Sequence, residues 1–391
     1  MTQRIRVGLV GSQFAARFHW EGWRRVYGVP VEVVGVTSRS APARDAFAKD
    51  KRIRTFETLE ELCAGVDVVD LCTPPSSHEE LAVQALQLGK HVIIEKPLTG
   101  YFGSGTPEFR GNRFSKETML QEAIESCRRL RAAAASSGKR VCYAENWIYA
   151  PAIQKEREIV AKSGGQILWM LGEQSHSGSH SPYYGSWRFG GGGSMVGKAC
   201  HPLSVALYLK RVEGETRDGA PIRPSTVNAR THEITRLPAY RDEGFLRTAY
   251  EDIEDYAQLH VTFSDGTVAD IFSSELVVGG VRNWLDVVCN NHRSRCSLNP
   301  IDAVETFNPR EDLLRDVYVV EKIGTKQGWS RPAPDESWQH GYAQEFQDFS
   351  ESIRDDREPL SGLDLARDTI ATLYAGYLSA ERGGLEVAIP E

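Results

Sequence analysis

A basic excess, paired cysteines and long apolar runs are all missing from these 391 residues, and each absence removes a class of function. Lys and Arg number 46 against 53 Asp and Glu, a net charge of −7, and no basic stripe gathers along the chain. A nucleic-acid binder rests on such a footprint, so no nucleic-acid partner is expected. No stretch approaches the ~20 apolar residues that cross a bilayer, so no membrane partner is expected either. The seven cysteines are odd in number and lack the close pairs of zinc sites. Several sit in apolar runs such as Val69–Cys72, where buried free thiols are the ordinary outcome. The opening MTQRIRVGLVGS enters a strand at once and leaves no room for a secretory signal. The expectation is a cytoplasmic protein with reduced thiols.

What is present is chain enough for two domains at roughly 100–200 residues each. Over residues 1–150, β-branched runs (Ile5–Val10, Val31–Thr37, Val66–Cys72, His91–Ile94, Arg140–Ala144) alternate with helical patterns at Ala15–Tyr27, Thr58–Ala64, His78–Leu88 and Ser115–Ala135. That alternation predicts βαβ units, hence an α/β domain with a doubly wound parallel sheet. Tyr101–Arg113 interrupts the rhythm as an inserted loop, a lid or an interface arm. Residues 151–391 read differently, with a helix at Ile153–Ala161, a strand at Gln166–Glu173 and a helix over about Ser194–Lys210. Mostly strands follow across Ser225–Ser297, then two closing helices striped by Tyr342, Phe346, Phe349, Ile353 and by Ala366, Ile370, Leu373, Tyr377. Strands with segregated helices predict an α+β second domain, the closing helices being free to pack back on the first.

Three stretches carry chemistry. Gly8-Leu9-Val10-Gly11-Ser12-Gln13-Phe14-Ala15-Ala16 follows a strand and opens a helix, the setting of a dinucleotide fingerprint, where helix amides face a pyrophosphate. Gln13 stands where the second glycine of G-x-G-x-x-G/A is normal. The second strand ends in Thr37-Ser38-Arg39 with no carboxylate. A hydroxyl and a guanidinium there suit a ribose 2′-phosphate, favouring NADP over NAD. Gly11, Ser12, Gln13, Phe14, Ala15, Ser38 and Arg39 are therefore candidate cofactor residues.

The second stretch is Cys72-Thr73-Pro74-Pro75-Ser76-Ser77-His78 followed by Glu95-Lys96-Pro97, at the ends of successive strands. Here the sequence resembles the Gfo/Idh/MocA family of NAD(P)-dependent oxidoreductases, which act mainly on sugars, polyols and related compounds. The resemblance implies a Rossmann domain followed by a domain with a large, mostly antiparallel open sheet. It implies that Lys96 reaches substrate and nicotinamide, and that Thr73, Pro74, His78, Glu95 and Asn146 lie on the cofactor side. A cation at that place has a direct use, since it favours the alkoxide that develops as an alcohol loses its proton.

The third stretch, Gly190-Gly191-Gly192-Gly193 leading to Gly197-Lys198-Ala199-Cys200-His201, resembles the family's glycine turn and D-x-x-x-H helix. His201 matches the histidine, the expected general base, but Gly197 replaces the aspartate. Lys198, three residues before His201, is expected to share its helical face and lower its pKa. Lys96, His201 and Lys198 are the catalytic candidates. The polar loop from Ser175 to Phe189, with His176, His180, Trp187 and Arg188, joins Lys96, Lys198, His201 and His340 as candidate substrate contacts. No metal is expected, since His176 and His180 lack a third ligand. The reading is hydride transfer between a nicotinamide and a secondary alcohol of a sugar, polyol or sugar acid, in a homo-oligomer joined through the open sheet. Its rivals are a redox-neutral enzyme that recycles held NAD(H) and a non-catalytic nucleotide-binding regulator.

Overall fold

The computed structural model describes residues 4–390 except 104, 180, 182 and 300–302. Six strands, β1 Ile5–Val10, β2 Val31–Thr37, β3 Arg54–Thr55, β4 Val68–Leu71, β5 His91–Glu95 and β6 Val141–Ala144, form a sheet of order β3-β2-β1-β4-β5-β6. Every pairing is parallel. The order reverses between β1 and β4, which opens a crevice at their carboxyl ends. Val68 to Leu71 are all buried because helices cover both faces. Those helices are α1 Phe14–Arg24, α2 Ala41–Lys51, α3 Leu59–Gly65, α4 His78–Gln87 and α5 Lys116–Ser137. Thr58 and Ser115 cap α3 and α5 by accepting from Glu61 and Thr118 amides, and Gly138 ends α5 in a left-handed turn. Neither α2 nor β3 is legible from the sequence pattern. α2 buries only Arg44, Phe47 and Ala48, too thin a stripe to register, and β3 has two residues.

The second half runs α6 Pro151–Ser163, β7 Ile167–Ser175, α7 Trp187–Gly190, α8 Cys200–Asp218, β8 Pro224–His232, β9 Tyr256–Phe263, β10 Val268–Ser274, β11 Arg282–Cys289 and β12 Arg293–Ser297. A small hairpin, β13 Thr306–Asn308 with β14 Gly328–Ser330, precedes α9 Glu336–Gln339, α10 Tyr342–Arg354, α11 Leu363–Glu381 and β15 Val387–Ala388. Seven strands make a sheet of order β12-β11-β7-β10-β9-β8-β15, antiparallel except where β7 meets β10. Strand β9 alternates buried and half-buried residues along its whole length, as a sheet with one covered face must. Helices α8 and α11 lie on the covered face, while Leu168 and Trp169 of β7 stay exposed.

The closing helices return to the first sheet. Phe346 of α10 is fully buried with its ring 4.8 Å from that of Trp23, and a Cβ at Gly22 would lie 2.2 Å from it. Tyr342 stacks on Phe18 at 5.2 Å. The inserted loop is an arm onto the second domain, not a loose lid. Its Tyr101 and Phe114 rings stack at 5.2 Å, the Tyr101 amide donates to Tyr374 Oη at 2.7 Å, and the Gly111 amide donates to Asp252 at 2.6 Å.

Candidate active site

The crevice at the end of β1 has the shape a dinucleotide requires. Gly11 sits at φ +109°, and a Cβ there would stand 2.4 Å from the Cys72 carbonyl oxygen, so only glycine makes the turn. Gln13 makes no side-chain cap bond to α1, so its side chain does not occupy the first helix amides. Phe14 is exposed and Ala15 half-buried, while Ser12 Oγ donates to Ser38 Oγ at 3.2 Å and joins the first turn to the end of β2. Arg39 follows, exposed. These residues fit a bound dinucleotide, with pyrophosphate at the helix start and ribose beside Ser38.

Thr73 and Pro74 close β4, held by Ser77 Oγ, which donates to Thr73 Oγ1 and to the Pro74 carbonyl, both at 2.9 Å. His78 corrects the expectation that it faces the cofactor. It is completely buried, with ring nitrogens 3.0 Å from the Pro97 carbonyl and 2.9 Å from the Thr73 carbonyl. It therefore braces the two strand-end loops against each other. Asn146 is similarly engaged, donating to the His340 carbonyl at 2.8 Å.

Lys96 leaves β5 just before the cis Lys96–Pro97 bond and donates to the Gly197 carbonyl at 3.0 Å. Glu95 beside it accepts from the Lys96 amide at 2.7 Å and lies 3.2 Å from Nε2 of the buried His19, whose Nδ1 is 2.8 Å from Asp70. Burial works against the Lys96 ammonium, but the combined field of Cys200, Glu95, Glu145 and Glu275 outweighs it and holds the pKa above the ordinary lysine value. Lys96 is thus a fixed cation.

His201 lies at the start of α8, and its Nδ1 is 2.5 Å from Glu145 Oε1. Glu145, fully buried at the end of β6, is the residue that sequence reading missed. It supplies from the first domain the carboxylate sought at position 197. Accepting from Nδ1–H, it sets the tautomer and leaves Nε2 as the ring's proton-accepting nitrogen. The ring stacks on Trp147 at 5.4 Å. Burial holds the pKa of His201 below the ordinary histidine value, Glu145 opposes that, and Lys96 adds to the lowering.

The expected partnership of Lys198 with His201 does not form. Residues 195–199 make a wide π-turn ahead of α8, so the three-residue spacing no longer puts both side chains on one face. Lys198 turns toward the end of β10 and pairs with Glu275, its ammonium 5.1 Å over the Tyr184 ring. Tyr184 also donates to Glu275 at 2.5 Å. The same ring explains Gly197, since a Cβ there would lie 2.6 Å from Tyr184. Gly197→Asp is therefore expected to cost stability, about 1–3 kcal/mol for an overpacked site, read as a lower denaturation midpoint.

The other candidates separate. His176 ends β7 with Nδ1 4.0 Å from Glu275 Oε2 and accepts from the Gly178 amide at 3.0 Å, so it borders the Lys198 cluster. His180 lies outside the described residues. Trp187 is corrected to a core residue. It is 2% exposed, donates to the Tyr101 carbonyl at 3.1 Å and packs on Tyr377 at 4.7 Å, under the arm. Arg188 is half-buried over the Phe189 ring at 4.7 Å. His340 is also spoken for, its buried Nε2 2.8 Å from the Leu298 carbonyl. No helix among the described residues is long and apolar enough to cross a membrane.

Comparison with known proteins bears on the cofactor domain and the fold. Residues 5–104 match the model of the Gfo/Idh/MocA oxidoreductase family with an NAD-binding Rossmann fold. A UDP-N-acetylglucosamine 3-dehydrogenase of Acidithiobacillus ferrooxidans is 35% identical over 95 residues, 24% of this chain and 29% of that protein. A levoglucosan dehydrogenase of Pseudarthrobacter phenanthrenivorans is 25% identical over 224 residues, 53% of this chain and 51% of that one. The alignments thus span about a third and about half of these relatives. The crystal structure of GenD2 from gentamicin A biosynthesis, in complex with NAD, shares the fold over 100% of this chain and 98% of its own, with a TM-score of 0.80 at 23% identity. Residues 5–104 thus carry the NAD-binding Rossmann domain of the Gfo/Idh/MocA oxidoreductase model, and the chain shares the GenD2 fold along its whole length.

Proposed function

We propose that this protein is an NAD(P)-dependent dehydrogenase acting on a secondary alcohol of a sugar, polyol or sugar acid. The observation that carries the reading is the meeting of a fixed cation, Lys96, with a neutral imidazole, His201, whose tautomer is set by Glu145. A bound nicotinamide supplies acceptance or return of a hydride. The chain's part is to move one proton. His201 Nε2 takes it from the substrate hydroxyl, and Lys96 stabilises the oxygen as negative charge develops on it. In the reverse direction the protonated imidazole returns it to the carbonyl oxygen. Glu145 keeps the ring oriented through either step.

His176, Lys198 and Tyr184 border the place a hydroxylated or acidic substrate would take, and the sugar-acting relatives support that substrate class. Ser38 and Arg39 support NADP as the cofactor taken. The outer face of the second sheet, with Leu168 and Trp169 exposed, supports homo-oligomerisation. The deciding experiment follows reduced-nicotinamide absorbance with NAD⁺ and NADP⁺ against a panel of sugars, polyols and sugar acids. Turnover is the expected result, and none with any member or either cofactor, by protein that still binds dinucleotide, removes the dehydrogenase reading. Arg39→Asp is expected to weaken NADP⁺ far more than NAD⁺. If the two cofactors bind the variant as they bind the parent, Arg39 does not meet the ribose phosphate.

A further inference from the structure

Three groups of potential metal ligands occur among the described residues, and two are already occupied by other duties. His19 has both ring nitrogens engaged, by Asp70 and Glu95, which closes its cluster with Cys72. Glu145, Cys200 and His201 belong to the active site. The third group, Glu156, Cys289 and His292, lies at the other end of the large sheet. Strand β7 runs from Ile167, paired with Cys289, to Ser175 near the active-site loop, nine residues that span roughly 26 Å.

The local geometry presents these three side chains together. Cys289 and His292 flank the two-residue turn Asn290-Asn291 of the β11–β12 hairpin, which the Cys289 amide closes by donating to the His292 carbonyl at 2.9 Å. Residues facing each other across such a turn project to one side of the sheet, here toward Glu156 of α6, a carboxylate only 1% exposed. The three ligand atoms lie within 4.8 Å of one another, with His292 Nε2 3.4 Å from Glu156 Oε1. A tetrahedral zinc ion with ordinary bond lengths separates its ligand atoms by about 3.3–3.8 Å.

The ring's orientation is an independent observation. Asn291 Nδ2 donates to the Ser163 carbonyl at 3.1 Å, so its Oδ1 is the acceptor for His292 Nδ1 at 2.6 Å. Nδ1 is thus engaged by Asn291, and Nε2 is aimed at the Glu156 carboxylate. This is how an outer partner holds a histidine ligand, leaving Nε2 on the side of the Glu156 carboxylate and the Cys289 thiol. The imidazole side chain is 18% exposed, which gives an ion a way in.

We propose that Glu156, Cys289 and His292 form a zinc site that staples the β11–β12 hairpin to α6, with water in the fourth position. A thiolate, an imidazole and a carboxylate suit Zn²⁺ among common divalent ions. Binding makes Zn–S, Zn–N and Zn–O bonds and releases the Cys289 thiol proton to solvent, with no change of oxidation state. The second thiol of this face, Cys296, lies 3.8 Å from the Ala152 carbonyl and is left out.

The test titrates the chelator-stripped full chain with Co²⁺ as a spectroscopic probe and then with Zn²⁺. The parent is expected to bind one Co²⁺ with a near-ultraviolet thiolate-to-cobalt band, to lose that band as Zn²⁺ displaces it, and to gain thermal stability with zinc. Cys289→Ser should abolish the band, His292→Gln should abolish the zinc-dependent rise in Tm, and Asn291→Ala should weaken binding roughly 10–100-fold. His292→Gln changes a partly exposed turn residue, so it remains informative if Cys289→Ser folds poorly. Cys200→Ala should keep the band. Loss of the band in Cys200→Ala with retention in Cys289→Ser would move the metal to the active-site cluster and overturn the assignment. So would a parent with no thiolate band and no zinc-dependent stability, which would leave His292 and Glu156 as a plain ion pair.

Discussion

His201→Asn is expected to lower kcat/KM for alcohol oxidation by roughly 10²–10⁴-fold, the usual contribution of a positioned general base, and to flatten the acid limb of its pH profile. Oxidation needs the neutral ring. The ring's pKa is held below the ordinary 6.5, chiefly by burial with Lys96 adding to it, so the parental rate should rise through an ionisation below that value and level off above it. Glu145→Gln sharpens the test. Glu145 raises the ring's proton affinity, so its loss should shift the limb to still lower pH while kcat falls, because the ring's tautomer is no longer set. A limb unchanged in His201→Asn would assign the proton to another group, Lys96 first among them.

Lys96→Ala is expected to reduce kcat by about 10²–10³-fold, as loss of one donor to a developing oxyanion does. KM should change less, since the cation acts mainly on the transition state. The same substitution removes the cation that helps lower the pKa of His201, so the residual activity should show its acid limb displaced upward. Those two readouts move together only if Lys96 stands beside both the reacting oxygen and the ring. Near-parental turnover under conditions where chemistry limits the rate would take Lys96 out of the mechanism.

The parallel sheet was legible in the sequence because its strands are short, nearly continuous apolar runs between helical patterns. The second sheet was legible in the alternation of Ala257, Leu259, Val261 and Phe263, all buried. Chemistry and local motif coincide at Gly11, Lys96 and His201, which is why the sequence singles them out as candidates. The site was not legible where the partner is distant in sequence. Glu145 and His201 are 56 positions apart and meet only because β6 and α8 converge. Glu275 waits 77 positions beyond Lys198 for the same kind of reason. The Lys198 expectation failed on a local matter, since it used regular helix spacing across a segment that is a π-turn. Trp187 misled because an aromatic in a polar loop reads as a pocket wall, whereas this one is buried under the 101–113 arm, which no periodicity describes.

The contact between Glu145 and His201 crosses the seam between the two halves of the chain, and so does the bond from Lys96 to the Gly197 carbonyl. In the proposed mechanism, acid–base function is consequently a property of the assembled molecule and of neither half. Residues 1–150 hold Lys96 and Glu145 without His201, and residues 151–391 hold His201 without the carboxylate that orients it. In that mechanism, lengthening the 2.5 Å contact by a water's width would disarm the proposed base while every strand and helix stayed intact. Phe346 packed against Gly22 and Trp23 is one of the contacts that hold the two halves together.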